Sequence, residues 1–237
     1  MQSTVKGFME KLTALLNKAA LRGHRIDNSF REVTIKQELS SPVYLSEHEI
    51  LEIYFYQDVA KKEAIVKDFF VLACLTGLRH SDFARLDKKH FINDNQIIRL
   101  KTKKTGKIVT IPVDKFVLDI MNKYDWKLPK CYCVQEFNKT LKGICQRIDT
   151  FAKDVLWERT VGLKVVSKTV KKYDLITTHT GRRSFATNIY KKNEFTTYDI
   201  MRMTGHSCEK TFYQYIRTTD EEVAMSMVNH PHFRRNC

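Results

Sequence analysis

Long apolar runs are missing from this 237-residue chain. No stretch of about 18 apolar residues occurs, so nothing in it reads as a membrane-spanning helix. The opening residues, MQSTVKGFMEKL, lack the apolar stretch of a signal peptide, and the expected location is the cytoplasm. Cys131 and Cys133 lack the second close pair that a zinc site needs. Cys74, Cys145, Cys208 and Cys237 are scattered, so all of the cysteines are read as reduced thiols and no metal is expected. His230-Pro231-His232 reads as a solvated tail rather than a ligand pair. There is no internal repeat and no low-complexity tract. Acidic residues are also short in number: 27 Asp and Glu stand against 41 Lys and Arg, a formal charge of +14. A surface of that sign attracts a polyanion, and nucleic acid is the commonest one. Charge alone fits a merely basic soluble protein as well. What is present in quantity is apolar material, 43% of the chain, enough for a buried core in one large domain or two small ones.

The apolar periodicity is mostly helical. Val5, Phe8, Leu12, Leu15, Leu16 and Ala19 recur at steps of three and four, which predicts an amphipathic helix over 4–20. Residues 21–42 are polar and irregular, a linker closed by Ser40, Ser41 and Pro42. Ser46 and Glu49 form a capping box that opens the compact part. A helix is predicted near 61–76 with Gly77 as its cap, followed by a short one over 79–86. Ile97–Lys101 and Ile108–Ile111 flank a Lys/Thr/Gly turn and predict a hairpin. Helices are expected at 113–123, 134–154, 181–192, 197–204, 208–217 and 220–229, with a second hairpin or long loop in VLWERTVGLKVVSKTVKKYDLI. The fold class is mainly α with a small antiparallel β-sheet.

Five segments carry chemistry-bearing residues. Arg79, in TGLRHSD, stands at a helix start with Asp82 three residues on, on the same face. Lys104 sits in the hairpin turn among Lys101, Lys103 and Lys107, and nothing local singles it out. His179 and Arg182, in HTGRRSFAT, lie three apart at a helix entry, where anions are favoured. His206 follows Gly205 in MTGHS. Tyr213 and Tyr215, in FYQYI, compete for one role, and a buried tyrosine with its hydroxyl tied up is the ordinary fate of either. Together the arginines, lysine and histidines form a cationic set able to hold a phosphodiester, with a tyrosine able to attack it.

In that order these residues resemble the tyrosine recombinases, or phage integrases. That family's pattern is Arg, a hairpin Lys, His-x-x-Arg, Gly-His, and a Tyr nine residues later. The resemblance covers about residues 42–229 and is closest in look to the integrases of conjugative transposons, which are mobile elements. It implies the tyrosine recombinase catalytic-domain fold. It selects Lys104 from its neighbours, and Tyr215 over Tyr213. It implies catalytic roles for Arg79, Lys104, His179, Arg182, His206 and Tyr215, with Asp82 orienting the phosphate-binding residues. Asp82 stands where the family more often has Glu. Lys101, Lys103, Lys107 and Arg183 are expected to contact DNA.

The implied reaction cuts and rejoins DNA through a 3′-phosphotyrosine, with no metal, ATP or other cofactor. The implied partners are double-stranded DNA and further copies of the chain, tetramers on DNA and a monomer alone. Residues 1–41 are expected to be the last helix of a core-binding domain plus a linker, the rest of that domain being absent. Residues 42–237 are expected to be the catalytic domain with a C-terminal tail helix that docks on a neighbour. Two other readings share parts of the pattern: a type IB topoisomerase-like enzyme, and a non-catalytic DNA-binding protein of the same fold.

Overall fold

The computed structural model describes residues 2–33, 43–161, 164–218 and 220–228. Ser40, Ser41 and Pro42 of the linker, the end of the expected 220–229 helix, His230, His232 and Cys237 lie outside the described residues. In chain order the helices begin with α1 (Gln2–Leu21), α2 (Glu47–Phe55), α3 (Lys61–Thr76) and α4 (His80–Phe83). Strands β1 (Phe91–Ile92), β2 (Ile97–Lys101) and β3 (Ile108–Pro112) follow. After α5 (Lys115–Lys123) and α6 (Val134–Gln146) come β4 (Asp154–Val161) and β5 (Lys164–Lys171). The chain ends with α7 (Lys172–Leu175), α8 (Thr178–Lys191), α9 (Thr197–Thr204), α10 (Glu209–Tyr213) and α11 (Asp220–Met227). It is mainly helical with small antiparallel sheets. Among the described residues no helix is long and apolar enough to cross a membrane.

Two compact units emerge, residues 1–42 with 154–170, and residues 43–153 with 171–237. In the first, α1 is the predicted amphipathic helix, and Phe8 and Leu15 on its stripe are exposed. β4 and β5 form the second hairpin, where Lys168 lies over the Trp157 ring.

The second unit is organised around α3. Val66, Phe69, Phe70, Val71, Leu72, Ala73 and Cys74 are all buried, so this helix is apolar nearly all round and α2, α5, α6 and α8 pack against it. Each fully buried Phe or Leu contributes roughly 1.5–3 kcal/mol. The capping box at α2 is formed, with Ser46 Oγ accepting from Glu49 N and Glu49 Oε2 from Ser46 N. The sheet runs β1-β2-β3, with Arg99 opposite Thr110 and Leu100 opposite Val109. Ile98, Leu100, Val109 and Ile111 face the core while Arg99 and Lys101 face out.

Several expected boundaries shift: the 79–86 helix is reduced to His80–Phe83 and the 208–217 helix to Glu209–Tyr213. The expected 134–154 helix stops at Gln146 and tightens into a 3-10 turn over Asp149–Ala152 before β4. Ile148 and Phe151 continue the apolar rhythm and either geometry buries Phe151, so periodicity alone did not separate them. α8 begins three residues earlier than expected. Thr180 Oγ1 accepts from Thr177 N, and Asn138 Oδ1 from Thr178 N, so the first turn is satisfied ahead of Gly181. β1 adds a short third strand that the hairpin reading lacked. At the far end, Glu222 of α11 accepts from Tyr44 Oη at 3.3 Å and pairs with Lys191 Nζ at 2.9 Å.

Candidate active site

The site grows from the ends of α3, α8 and α9. α3 ends at Gly77, whose φ of 65° suits a residue without a side chain. A Cβ there would also meet the Phe185 ring at 2.4 Å. That turn leaves the Gly77 carbonyl to accept from Arg182 Nη1 at 2.7 Å, and places Arg79 at the N-cap of α4. Arg182 itself is 2% exposed. Its Nη2 donates to the Thr204 carbonyl and lies 3.3 Å from His206 Nε2. α9 ends on Gly205 with φ of 69°, which turns His206 back toward Arg182.

The hydrogen-bond chemistry assigns the His206 tautomer. An arginine has no acceptor, so Nε2 accepts from Arg182 and Nδ1 carries the proton. Nδ1 donates to Thr204 Oγ1 at 2.7 Å, and Thr204 Oγ1 donates to the Ile200 carbonyl at 2.7 Å. Burial first, then Arg182, Arg79 and Lys107, push the His206 pKa down to about 3, so the ring is neutral near pH 7.

Tyr215 lies against this pair. Its ring centroid is 4.8 Å from that of His206, and the Arg182 guanidinium sits 5.6 Å from its ring. Thr187 Oγ1, on α8, donates to the Tyr215 carbonyl at 3.3 Å, so the helix that carries Arg182 also holds the tyrosine backbone. Tyr213 is turned elsewhere. It is 47% exposed, and its hydroxyl lies 3.4 Å from Thr197 Oγ1.

His179 is exposed in the first turn of α8. The part of it that faces protein is desolvated, and Arg183, Arg182, Arg79 and Lys104 repel a proton there, so its pKa falls below the usual value. The same ordering of causes lowers Arg182: burial first, then Arg79. Its guanidinium stays charged. Three buried N–H groups, Arg79 Nη1, Arg182 Nε and Arg183 Nε, have no hydrogen-bond partner among the described residues. Buried charged donors of this kind call for an anionic acceptor.

The structure therefore brings Arg79, His179, Arg182, His206 and Tyr215 into one cluster. Lys104 is near enough to act on the His179 charge, and Lys107 near enough to act on His206. Asp82 is fully buried and accepts from Lys103 N at 2.7 Å. Lys101 and Lys103 are exposed on the hairpin. Arg183 differs from the rest. Expected to face DNA, it is 7% exposed and donates to the Val43 carbonyl at 2.7 Å, an interior anchor. Thr204 and Thr187 escaped the sequence reading; the only signal for Thr204 was its place in MTGHS.

Neutral, half-buried His206 ties stability to pH. Above about pH 6.5 both folded and unfolded imidazoles are neutral and the difference is nil. Below it the unfolded chain takes up a proton that the folded one refuses, so stability falls by up to about 1.4 kcal/mol per pH unit toward pH 3. Between pH 6.5 and 5 the unaltered protein should lose roughly 1 kcal/mol more than His206→Gln, the partial exposure of the ring screening part of the effect. Urea unfolding of both proteins at the two pH values checks this, and parallel losses would contradict it.

The phage integrase family profile matches residues 43–222. No curated protein matches in sequence. Among solved structures, the Tn1549 transposon integrase in complex with circular intermediate DNA is 15% identical with a TM-score of 0.63, over 96% of this chain and 79% of that one. The XerH site-specific recombinase bound to palindromic difH substrate is 16% identical with a TM-score of 0.65, over 97% and 65%. A lambda integrase tetramer bound to a Holliday junction is 15% identical with a TM-score of 0.56, over 87% and 59%. At such identities the structures attest the fold, and the profile, which spans most of the chain, attests the family: this chain belongs to the phage integrases, the tyrosine recombinases.

Proposed function

We propose that the protein cuts and rejoins DNA at specific sites through a 3′-phosphotyrosine on Tyr215. The observation that carries this reading is the packing of Tyr215, and not Tyr213, against His206 and Arg182. Tyr215 Oη attacks the scissile phosphorus and the bond to the 5′-oxygen breaks. The free 5′-hydroxyl of another strand later reverses the step, so the bond energy is kept and no nucleotide is consumed. Arg79 and Arg182 hold the non-bridging oxygens through directed N–H groups, and Arg79 Nη1 and Arg182 Nε are buried donors without a hydrogen-bond partner among the described residues. Neutral His206 orients Arg182 by accepting at Nε2, a role that takes the place of the expected contact with phosphate because its one N–H is given to Thr204 Oγ1. His179, with its lowered pKa, is unprotonated near pH 7 and takes the tyrosine proton. Lys104 protonates the leaving 5′-oxygen.

Double-stranded DNA is the partner, and tetramers form on it. Residues 1–41 serve as the last helix and linker of a core-binding domain that closes the clamp on DNA. α11, held here through Glu222, moves onto a neighbouring copy in the assembly. The protein acts on DNA of a mobile element in the cytoplasm. A topoisomerase-like or purely binding role gains no support from any particular contact.

Capture tests the reading. A random-sequence pool of nicked duplexes is incubated with the protein, and covalently attached DNA is recovered from a denaturing gel. An adduct is expected; its absence, alongside retained DNA binding, would mean a binding protein. Binding itself should weaken steeply with salt, because contacts to phosphate release counterions. With a charge of +14 and six or more phosphate contacts, the loss from 50 to 200 mM is roughly 10³-fold or greater. Affinity for unrelated duplexes across a salt series measures it, and a flat response would show that the basic surface is not used on DNA.

A further inference from the structure

Arg85, just beyond α4, joins the two elements that carry Arg79 and Lys104. Asp82 lies in the single turn of α4 with its side chain fully buried. Its Oδ1 accepts from Lys103 N at 2.7 Å and from Arg85 Nη2 at 3.2 Å. The same Arg85 nitrogen also donates to the Lys101 carbonyl, the last residue of β2. One guanidinium nitrogen therefore spans the carboxylate of the Arg79 helix and the base of the hairpin. The far side of the turn closes on itself, with Gly106 N donating to the Thr102 carbonyl at 2.9 Å and Thr102 N to the Lys107 carbonyl at 2.7 Å.

The consequence falls on Lys104, the residue after Lys103. Its ammonium rides on a flexible four-carbon stem, so its aim is set by the backbone beneath it. That backbone is fixed to α4 at Lys101 and Lys103, both times through Asp82 or Arg85. As a surface ion pair Arg85–Asp82 would be worth little, since 40% of the Arg85 side chain is exposed. The weight comes instead from what the pair joins: a buried carboxylate whose Oδ2 has no hydrogen-bond partner among the described residues.

We propose that Arg85 is a positioning residue that clips the Lys104 hairpin to the Arg79 helix, so that it governs proton delivery to the leaving oxygen rather than grip on the phosphate. The proposal rests on the reading of Lys104 as the acid.

Two versions of one captured nicked duplex test it, one with the natural 5′-bridging oxygen and one with sulfur at that position, a leaving group that needs no proton. Arg85→Ala should slow attachment to the oxygen DNA about 10-fold or more and leave the sulfur DNA within about twofold of the unaltered protein. Arg85→Lys, which can pair with Asp82 without spanning to the Lys101 carbonyl, should fall between. An equal loss on both DNAs, as from a damaged fold, overturns the proposal, and so does no loss on either. Lys104→Ala is run beside them. If sulfur fails to restore Lys104→Ala, it is the acid assignment that fails. Hydrogen exchange at the Lys103 amide then decides the clip alone: faster exchange in Arg85→Ala supports it, and an unchanged rate overturns it.

Discussion

Tyr215→Phe should abolish covalent attachment to DNA while leaving affinity within about twofold, because the only group removed is the hydroxyl. The phenyl ring keeps its place 4.8 Å from His206 and beside Arg182, so the packing survives. Tyr213→Phe should leave attachment intact. That hydroxyl is on the exposed side, 3.4 Å from Thr197 Oγ1, and an exposed contact of this kind contributes little. Attachment assays on both variants check the pair. Loss of the adduct in Tyr213→Phe and its retention in Tyr215→Phe would place the nucleophile two residues earlier.

Arg182 carries the second large effect, and it acts on both fold and chemistry. Its guanidinium joins the Gly77 carbonyl to the Thr204 carbonyl and to His206, so it ties the end of α3 to the end of α9. Arg182→Ala leaves two carbonyls without this donor and opens a cavity in the core, a change expected to destabilise by several kcal/mol. Arg182→Lys separates the two roles. Lysine keeps the charge but lacks the planar fork that meets several acceptors at once. A folded Arg182→Lys protein should attach to DNA about 10²-fold more slowly or worse, the scale set by losing one directed donor to a phosphoryl-like oxyanion. A near-normal rate in that variant would mean that charge, and not geometry, is what Arg182 supplies.

Much of the fold was legible because local signals were strong. Gly77 announced the end of α3, Ser46 and Glu49 the start of α2, and the Lys/Thr/Gly turn the β2–β3 hairpin. The candidate site was legible only as an ordered pattern. Nothing in FYQYI itself separates Tyr213 from Tyr215; the nine-residue spacing from His206 in the family pattern picks Tyr215, and the contacts that hold it come from α8 and the turn after α9, which meet the chain from distant positions. Arg183 misled for the same reason. A second arginine beside Arg182 reads as more positive charge for DNA, whereas on a buried helix the adjacent position points about 100° away and here meets the Val43 carbonyl. Arg85 was invisible, and Thr204 marked only by its place in MTGHS, because their work is to hold other groups. Such roles are set by tertiary hydrogen bonds that leave no periodicity in sequence.

One measurement bears most directly on the central claim, that Tyr215 is the residue that joins DNA. The adduct trapped on a nicked duplex is digested with protease and nuclease, and the peptide bearing the residual nucleotide is sequenced by mass spectrometry. A 3′-linked nucleotide phosphate on Tyr215 alone is expected. A nucleotide on Tyr213, on any other side chain, or at a 5′-phosphate would contradict it.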